Sequence, residues 1–296
     1  MSAYVYAAVF AMVLWWFSTG IIMFLDNLPR HTFRWSMAGA TALMLAAVFV
    51  LGLSVNDPSV QGAYLGFAAA LLIWGWLEIS FYMGYVTGPR RHACEQGCDG
   101  WRHFGHAIQV SLHHEIAILV LGGVIAYLSW GAANQVGLWT FLVLALMHES
   151  ARLNVFFGVR NLSAEFVPEH MAYLKSFLKQ RSMNLFFPVS ITVSTAVLVW
   201  LIGAIPAWTV DPHQAIGLTL VSTMLALAVL EHWFLVLPIP AERLWQWSLR
   251  SRGLRQAAES DRGSGACLAV HGVSLSVRGE GCLPPAARAA SFRHIR

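Results

Sequence analysis

Glutamate and histidine recur inside stretches of this chain that are otherwise apolar: Glu78; His113, His114 and Glu115; His148 and Glu149, with Arg152 close behind; and Glu231 with His232. An ionisable group at the centre of a lipid-solvated helix costs about 2.5 to 3.5 kcal/mol on insertion scales, so such groups face the protein interior and serve a purpose there. Carboxylates and neutral imidazoles from facing helices of a bundle are donors for iron, manganese or zinc. On that chemistry the candidate metal ligands are Glu78, His113, His114, Glu115, His148, Glu149, Glu231 and His232, and Arg152 is the candidate balancing charge. The Glu-x-x-His spacing of soluble dinuclear bundles is absent, because here acid and imidazole are adjacent.

The imidazoles taken alone, His113, His114, His148 and His232, could instead ligate the magnesium of a chlorin or the iron of a haem. That reading leaves Glu78, Glu115, Glu149 and Glu231 without a role. A proton or ion relay would use the same residue types. Buried ion pairs that fix helix register are the plainest alternative.

Helical geometry limits which groups converge. His148 and Arg152 are four residues apart and Glu149 and Arg152 three apart, so the guanidinium can neutralise Glu149 or a neighbouring carboxylate. His106 and His113 share a face, whereas Glu115 points away from His113 and nearer to His114. Only part of each cluster can meet at one point. A weaker signal, His92-x-Cys94-x3-Cys98-x4-His103, has metal-capable residues but matches no common zinc module and reads as an ordinary loop.

The elements that must carry these residues are membrane helices. Charged residues are 11% of the 296 positions and hydrophobic residues 57%, against about 25% and 45 to 50% in a soluble domain. Spanning stretches fall at about residues 5–25, 33–55, 61–86, 106–130, 134–159, 185–207 and 215–237. The fold class expected is an all-α bundle of seven transmembrane helices. The first stretch has no basic residues before it and no small-residue cleavage site after it, so it reads as a retained span. Turn chemistry separates the spans at Asp26-Asn27-Leu28-Pro29, Asn56-Asp57-Pro58-Ser59 and Asp211-Pro212. Residues 165–181 carry apolar side chains at helical spacing beside Lys175, Lys179 and Arg181, which predicts one amphipathic helix on the membrane surface. Glu169 and His170 on it are expected to be solvated. The four cysteines form no disulfide framework and are expected to be free thiols, and the tryptophans fit an interfacial belt.

Basic residues occupy alternate connections only: Arg30 and Arg34, then Arg90, Arg91 and Arg102, then residues 160–181, then Arg243 onward. This alternation predicts a periplasmic N-terminus and a cytoplasmic C-terminus. With that orientation, Glu78, His113, His148 and Glu231 all lie about 9 to 15 Å from the cytoplasmic ends of their spans, in one layer. Residues 1–249 form the expected membrane domain. Residues 250–296 turn to Gly, Ser, Ala and Arg without periodicity and are expected to be a disordered cytoplasmic tail.

Two segments, Ser-Leu-His-His-Glu-Ile-Ala from Ser111 and the longer stretch His-Glu-Ser-Ala-Arg-Leu-Asn-Val-Phe-Phe-Gly-Val-Arg-Asn from His148 through Leu178, resemble the PuhE family of photosynthetic complex assembly proteins in purple phototrophic bacteria. The resemblance runs from the N-terminus to about Arg250, and the tail beyond departs from it. It implies a protein of the bacterial inner or intracytoplasmic membrane, tied to reaction-centre assembly or to control of bacteriochlorophyll production. Its partners would be reaction-centre or light-harvesting subunits and pigment-synthesis enzymes, besides the lipid bilayer, and no nucleic acid. His113, His114, Glu115, His148, Glu149, Arg152 and Asn154 fall in the resembling segments. The family has no established catalytic mechanism, so no catalytic role passes to them. The cofactor expected is iron, manganese or zinc, or a magnesium tetrapyrrole such as bacteriochlorophyll or a precursor. The competing readings are a membrane metalloenzyme acting on a lipid-soluble tetrapyrrole or quinone, and a purely structural assembly scaffold.

Overall fold

The computed structural model describes residues 2–95, 97–162, 167–205 and 211–238, together with 244, 245 and 247; the expected tail from 250 onward lies outside the described residues. The helices are α1 (Ser2–Asp26), α2 (Phe33–Ser54), α3 (Val60–Tyr82), α4 (Gly100–Leu128), α5 (Val136–Phe157), α6 (Phe186–Ala204) and α7 (Pro212–Phe234). All seven are long and apolar enough to cross a membrane, and Phe49, Leu119, Leu146 and Trp200 stand exposed on the outside of the bundle. The chain is a multi-pass membrane protein with the all-α architecture its hydropathy predicts.

Local signals set the helix starts. The Ser59 hydroxyl accepts from the Gly62 amide at 3.1 Å and caps α3, and the Asp211 carboxylate accepts from the His213 amide at 3.0 Å ahead of Pro212 in α7. Two buried asparagines then tie connections together. Asn134 donates to the carbonyls of Ser54 and Gly62 at 2.9 and 2.8 Å, and Asn184 donates to those of Asn154 and Gly158, both at 3.0 Å. Asn184 also caps α6, its side-chain oxygen accepting from the Phe186 and Phe187 amides.

Two helices sit centrally: 72% of the most apolar 18-residue stretch of α7 and 56% of that of α3 is buried, against 11% for α1 and 17% for α2. Small residues at the crossings fix their rotations. A Cβ at Gly66 of α3 would lie 3.2 Å from the Gly137 nitrogen of α5, and a Cβ at Gly217 of α7 would lie 2.6 Å from Val136. These close approaches bring three parallel helices into register.

The predicted surface helix is shorter and tighter than its periodicity suggests. Residues Glu169–Phe177 form a 3-10 helix with a non-helical turn at Met171. Beyond it the chain extends to pair with the end of α5, the Val159 amide donating to Lys179 and the Arg181 amide to Val159, so residues to 181 cannot continue a helix. Residues 163–166 lie outside the described set. Glu169 is exposed as expected, but His170 is not simply solvated: its Nε2 donates to the Tyr82 carbonyl at 2.9 Å and its ring lies edge-on to Phe33. Burial, and then the nearby Arg30, push the His170 pKa below its usual value, which keeps the ring neutral.

Candidate functional site

The register set at the glycine crossings determines which polar residues meet. Twelve residues beyond Gly66 and eleven beyond Gly137, about 17 Å along each helix, Glu78 of α3 faces His148 of α5, with Oε1 and Nδ1 3.4 Å apart. Helix α4 runs the opposite way. Gly122 packs against the Phe141 ring of α5, and eight residues back along α4 His114 meets His148 with ring centroids 5.6 Å apart. Glu78, His114 and His148 each offer one donor atom, and the three atoms lie within 4.8 Å of one another.

The backbone around His114 is built for that position. Its amide donates to the Thr87 carbonyl at 3.0 Å, so the strap following α3 lies directly against α4. At Gly88 the approach is closest, since a Cβ there would stand 2.0 Å from the Gln109 carbonyl oxygen and 2.6 Å from the Val110 carbonyl carbon. Only glycine permits this contact. Phe81 and Trp74 of α3 pack on the rings of His114 and His148, with centroids 4.7 and 5.2 Å apart.

Buried polar atoms normally find partners, yet Glu78 Oε1, His114 Nδ1 and His148 Nε2 are buried and make no hydrogen bond among the described residues. The 3.4 Å contact between Glu78 and His148 is close enough for an ion pair but is not aligned as a hydrogen bond. A carboxylate and two imidazoles with spare donor capacity are what a divalent first-row cation requires, and three ligands leave a coordination position open.

Beside this triad is a cavity of about 380 Å³ between α1, α3, α5 and α7, into which Glu78, His148, Glu231 and His232 project. Its wall is otherwise apolar and aromatic, including Trp15, Trp74 and Leu144. Asp26 also lines it, with Oδ1 buried and without a hydrogen bond among the described residues. The sequence reading placed Asp26 in a turn, whereas it is the last residue of α1. The available signal was its position at the end of the first span, level with the end of the third. Glu231 faces the Trp15 side chain, a hydrogen-bond donor.

The remaining candidates go elsewhere. Arg152 NH1 donates to Glu115 and, at 3.2 Å, to Glu149, and NH2 donates to Ser111 Oγ at 2.5 Å. The three charges form their own pairing group. His232 is committed on both nitrogens, Nδ1 donating to the Ala228 carbonyl and Nε2 accepting from Ser150 Oγ, each at 2.9 Å. His113 is exposed on the outer face of α4. Asn154 is structural, donating to Ser190 Oγ and to the Ser150 carbonyl, each at 3.0 Å.

A second group of donors stands at the start of α4, where the sequence reads as an ordinary loop. Cys94, Cys98 and His106 have donor atoms within 4.8 Å of one another, and His103 touches Cys94.

With this geometry in view, the relationships of the chain are informative. Residues 1–256 match the model of the family described as proteins of unknown function, DUF3623, and the chain belongs to that family. It is 38% identical over 249 residues to a Rhodobacter capsulatus protein described as an uncharacterized 30.4 kDa protein in the puhA 5' region, a match covering 82% of this chain and 90% of that protein. No solved structure matches the chain.

Proposed function

We propose that this protein serves assembly of the photosynthetic apparatus, or control of its bacteriochlorophyll supply, through a divalent cation held inside the membrane by Glu78, His114 and His148. The observation that carries the cation is the convergence of one donor atom from each of Glu78, His114 and His148, on three different helices, within 4.8 Å of one another, where each residue also has a buried polar atom with no hydrogen bond among the described residues. The link to photosynthesis is supported by the resemblance to the PuhE family and by the relative from the puhA 5' region. In this reading the membrane is the bacterial inner membrane and its intracytoplasmic extensions. The arginine-bearing connections face the cytoplasm, the N-terminus faces the periplasm, and residues 1–249 are the working domain.

The triad favours a bare ion over a tetrapyrrole. A tetrapyrrole's metal is already held by four ring nitrogens and offers axial positions on opposite faces of a plane, so it cannot accept three protein donors converging from one side. His113, exposed, and His232, committed on both nitrogens, are poorly placed to ligate a pigment. A second reading, a metalloenzyme acting on a lipid-soluble substrate, is favoured by the open coordination position of a three-ligand set beside the 380 Å³ cavity.

The test is elemental analysis of the purified full chain. Glu78→Gln combined with His148→Ala should remove one equivalent of iron, manganese or zinc relative to wild type; equal metal content in the two proteins sinks the cation site. A strain lacking this chain should show reduced reaction-centre absorbance, restored by wild type. Undiminished absorbance in the deletion strain overturns the assembly role.

A further inference from the structure

We infer that Cys94, Cys98, His103 and His106 bind a zinc ion that staples the connection between α3 and α4 to the first turns of α4. This site lies outside the intramembrane triad and shares no residue with it.

The distances from His106 to both sulfurs, and from His103 to Cys94, match those of a tetrahedral sulfur and nitrogen site. Zinc bonds of about 2.3 Å to sulfur and 2.0 to 2.1 Å to nitrogen set those donors about 3.5 Å apart. His106 Nδ1 lies 3.3 Å from Cys98 Sγ and 3.5 Å from Cys94 Sγ, and His103 Nδ1 lies 3.3 Å from Cys94 Sγ. The cysteines are free thiols.

Weak thiol hydrogen bonds satisfy only part of the arrangement. The Nδ1 of a neutral imidazole carries either one proton or one lone pair, yet that of His106 faces two sulfurs. Cys94 Sγ lies between two ring nitrogens, at 3.5 Å from that of His106 and 3.3 Å from that of His103. A cation among deprotonated sulfurs satisfies every contact at once. Binding releases both thiol protons to solvent, and with two thiolates and two neutral imidazoles the site carries no net charge.

The surroundings hold the donors in place. His103 and His106 are three residues apart on α4 and so share a face. The His103 ring is stacked between Phe156 and Phe177, with centroids 5.5 and 5.4 Å away and both interplanar angles 23°. The Cys94 amide donates to Ser176 Oγ at 3.0 Å. His103 closes on the other three donors as the ion draws them together. The strap from Thr87 to Cys94 is then fixed at both ends to α4, by the Thr87–His114 hydrogen bond and by the metal.

The experiment is cobalt substitution of the full chain in detergent, read by absorbance. Wild type should bind Co²⁺ with thiolate-to-cobalt charge transfer in the near ultraviolet and tetrahedral ligand-field bands in the visible, both displaced by Zn²⁺. Cys94→Ser with Cys98→Ser, and separately His106→Ala, should abolish these bands and one equivalent of zinc, while Glu78→Gln with His148→Ala retains them. Wild type without the charge-transfer band overturns the site, as does a Cys94–Cys98 disulfide in protein alkylated directly in membranes. Cys267→Ser with Cys282→Ser should keep the bands, which ties them to Cys94 and Cys98 even if a variant of the site fails to fold. In variants that remain monodisperse, hydrogen exchange across residues 87–99 should rise several-fold.

Discussion

His148 and Arg152 stand one turn apart on α5, and their surroundings use the same residue types to opposite ends. Around Arg152, two carboxylates and a serine hydroxyl satisfy the guanidinium and one another. Around His148, a carboxylate and a second imidazole come within reach but leave a buried polar atom unmet on each residue. A group whose charges are already paired has little to offer a ligand, whereas a carboxylate and two imidazoles that converge with hydrogen-bonding capacity to spare can accept one. The difference separates the charges that keep the bundle in register from those with chemistry to do.

The sharpest way to break this comparison is to take the cation from the satisfied group. Arg152→Met leaves Glu115 and Glu149 facing each other and should destabilise the protein by about 3 kcal/mol, the low end for breaking a buried pair, because Glu149 is 43% exposed. Adding Glu115→Gln and Glu149→Gln should recover most of the loss in a thermal melt; no recovery would mean that Arg152 acts by packing and not by charge.

Gly88→Ala probes the other side without touching a ligand. Its methyl group must displace the strap or α4, at about 1 to 3 kcal/mol for overpacking. The displaced His114 should reduce the metal equivalent assigned to the triad, measured by elemental analysis, while the Arg152 pairing is spared.

The smallest effect is a difference of sign. In metal-free protein, Glu78→Gln replaces a buried carboxyl group that has no hydrogen-bond partner among the described residues and should raise stability by about 1 kcal/mol, whereas Glu115→Gln removes a carboxylate bonded to Arg152 and should lower it. Thermal melts in chelator would show both variants moving the same way if the two regions were equivalent.

Much of the framework was legible. The seven spans follow from hydropathy, and the connections that contain Ser59 and Asp211 from turn residues, because both signals are local. The guanidinium of Arg152 also found Glu149 as its spacing predicts. The part that sequence missed depended on tertiary proximity. Cys94 and Cys98 look like loop cysteines until α4 begins at Gly100, earlier than hydropathy places it, and presents His103 and His106 to them. Asp26 reads as a turn residue until α1 carries it to the cavity.

Sequence by itself determined that acids and imidazoles would share one layer of the bundle, since depth in a helix is a count of residues along a fixed rise. It could not determine which of them meet. That depends on the rotation of each helix about its axis, which is set by backbone approaches at Gly66, Gly137 and Gly217 and at the Gly88 strap. Those contacts join residues far apart in the chain. They turn Glu78, His114 and His148 toward one point and leave His113 on the outside.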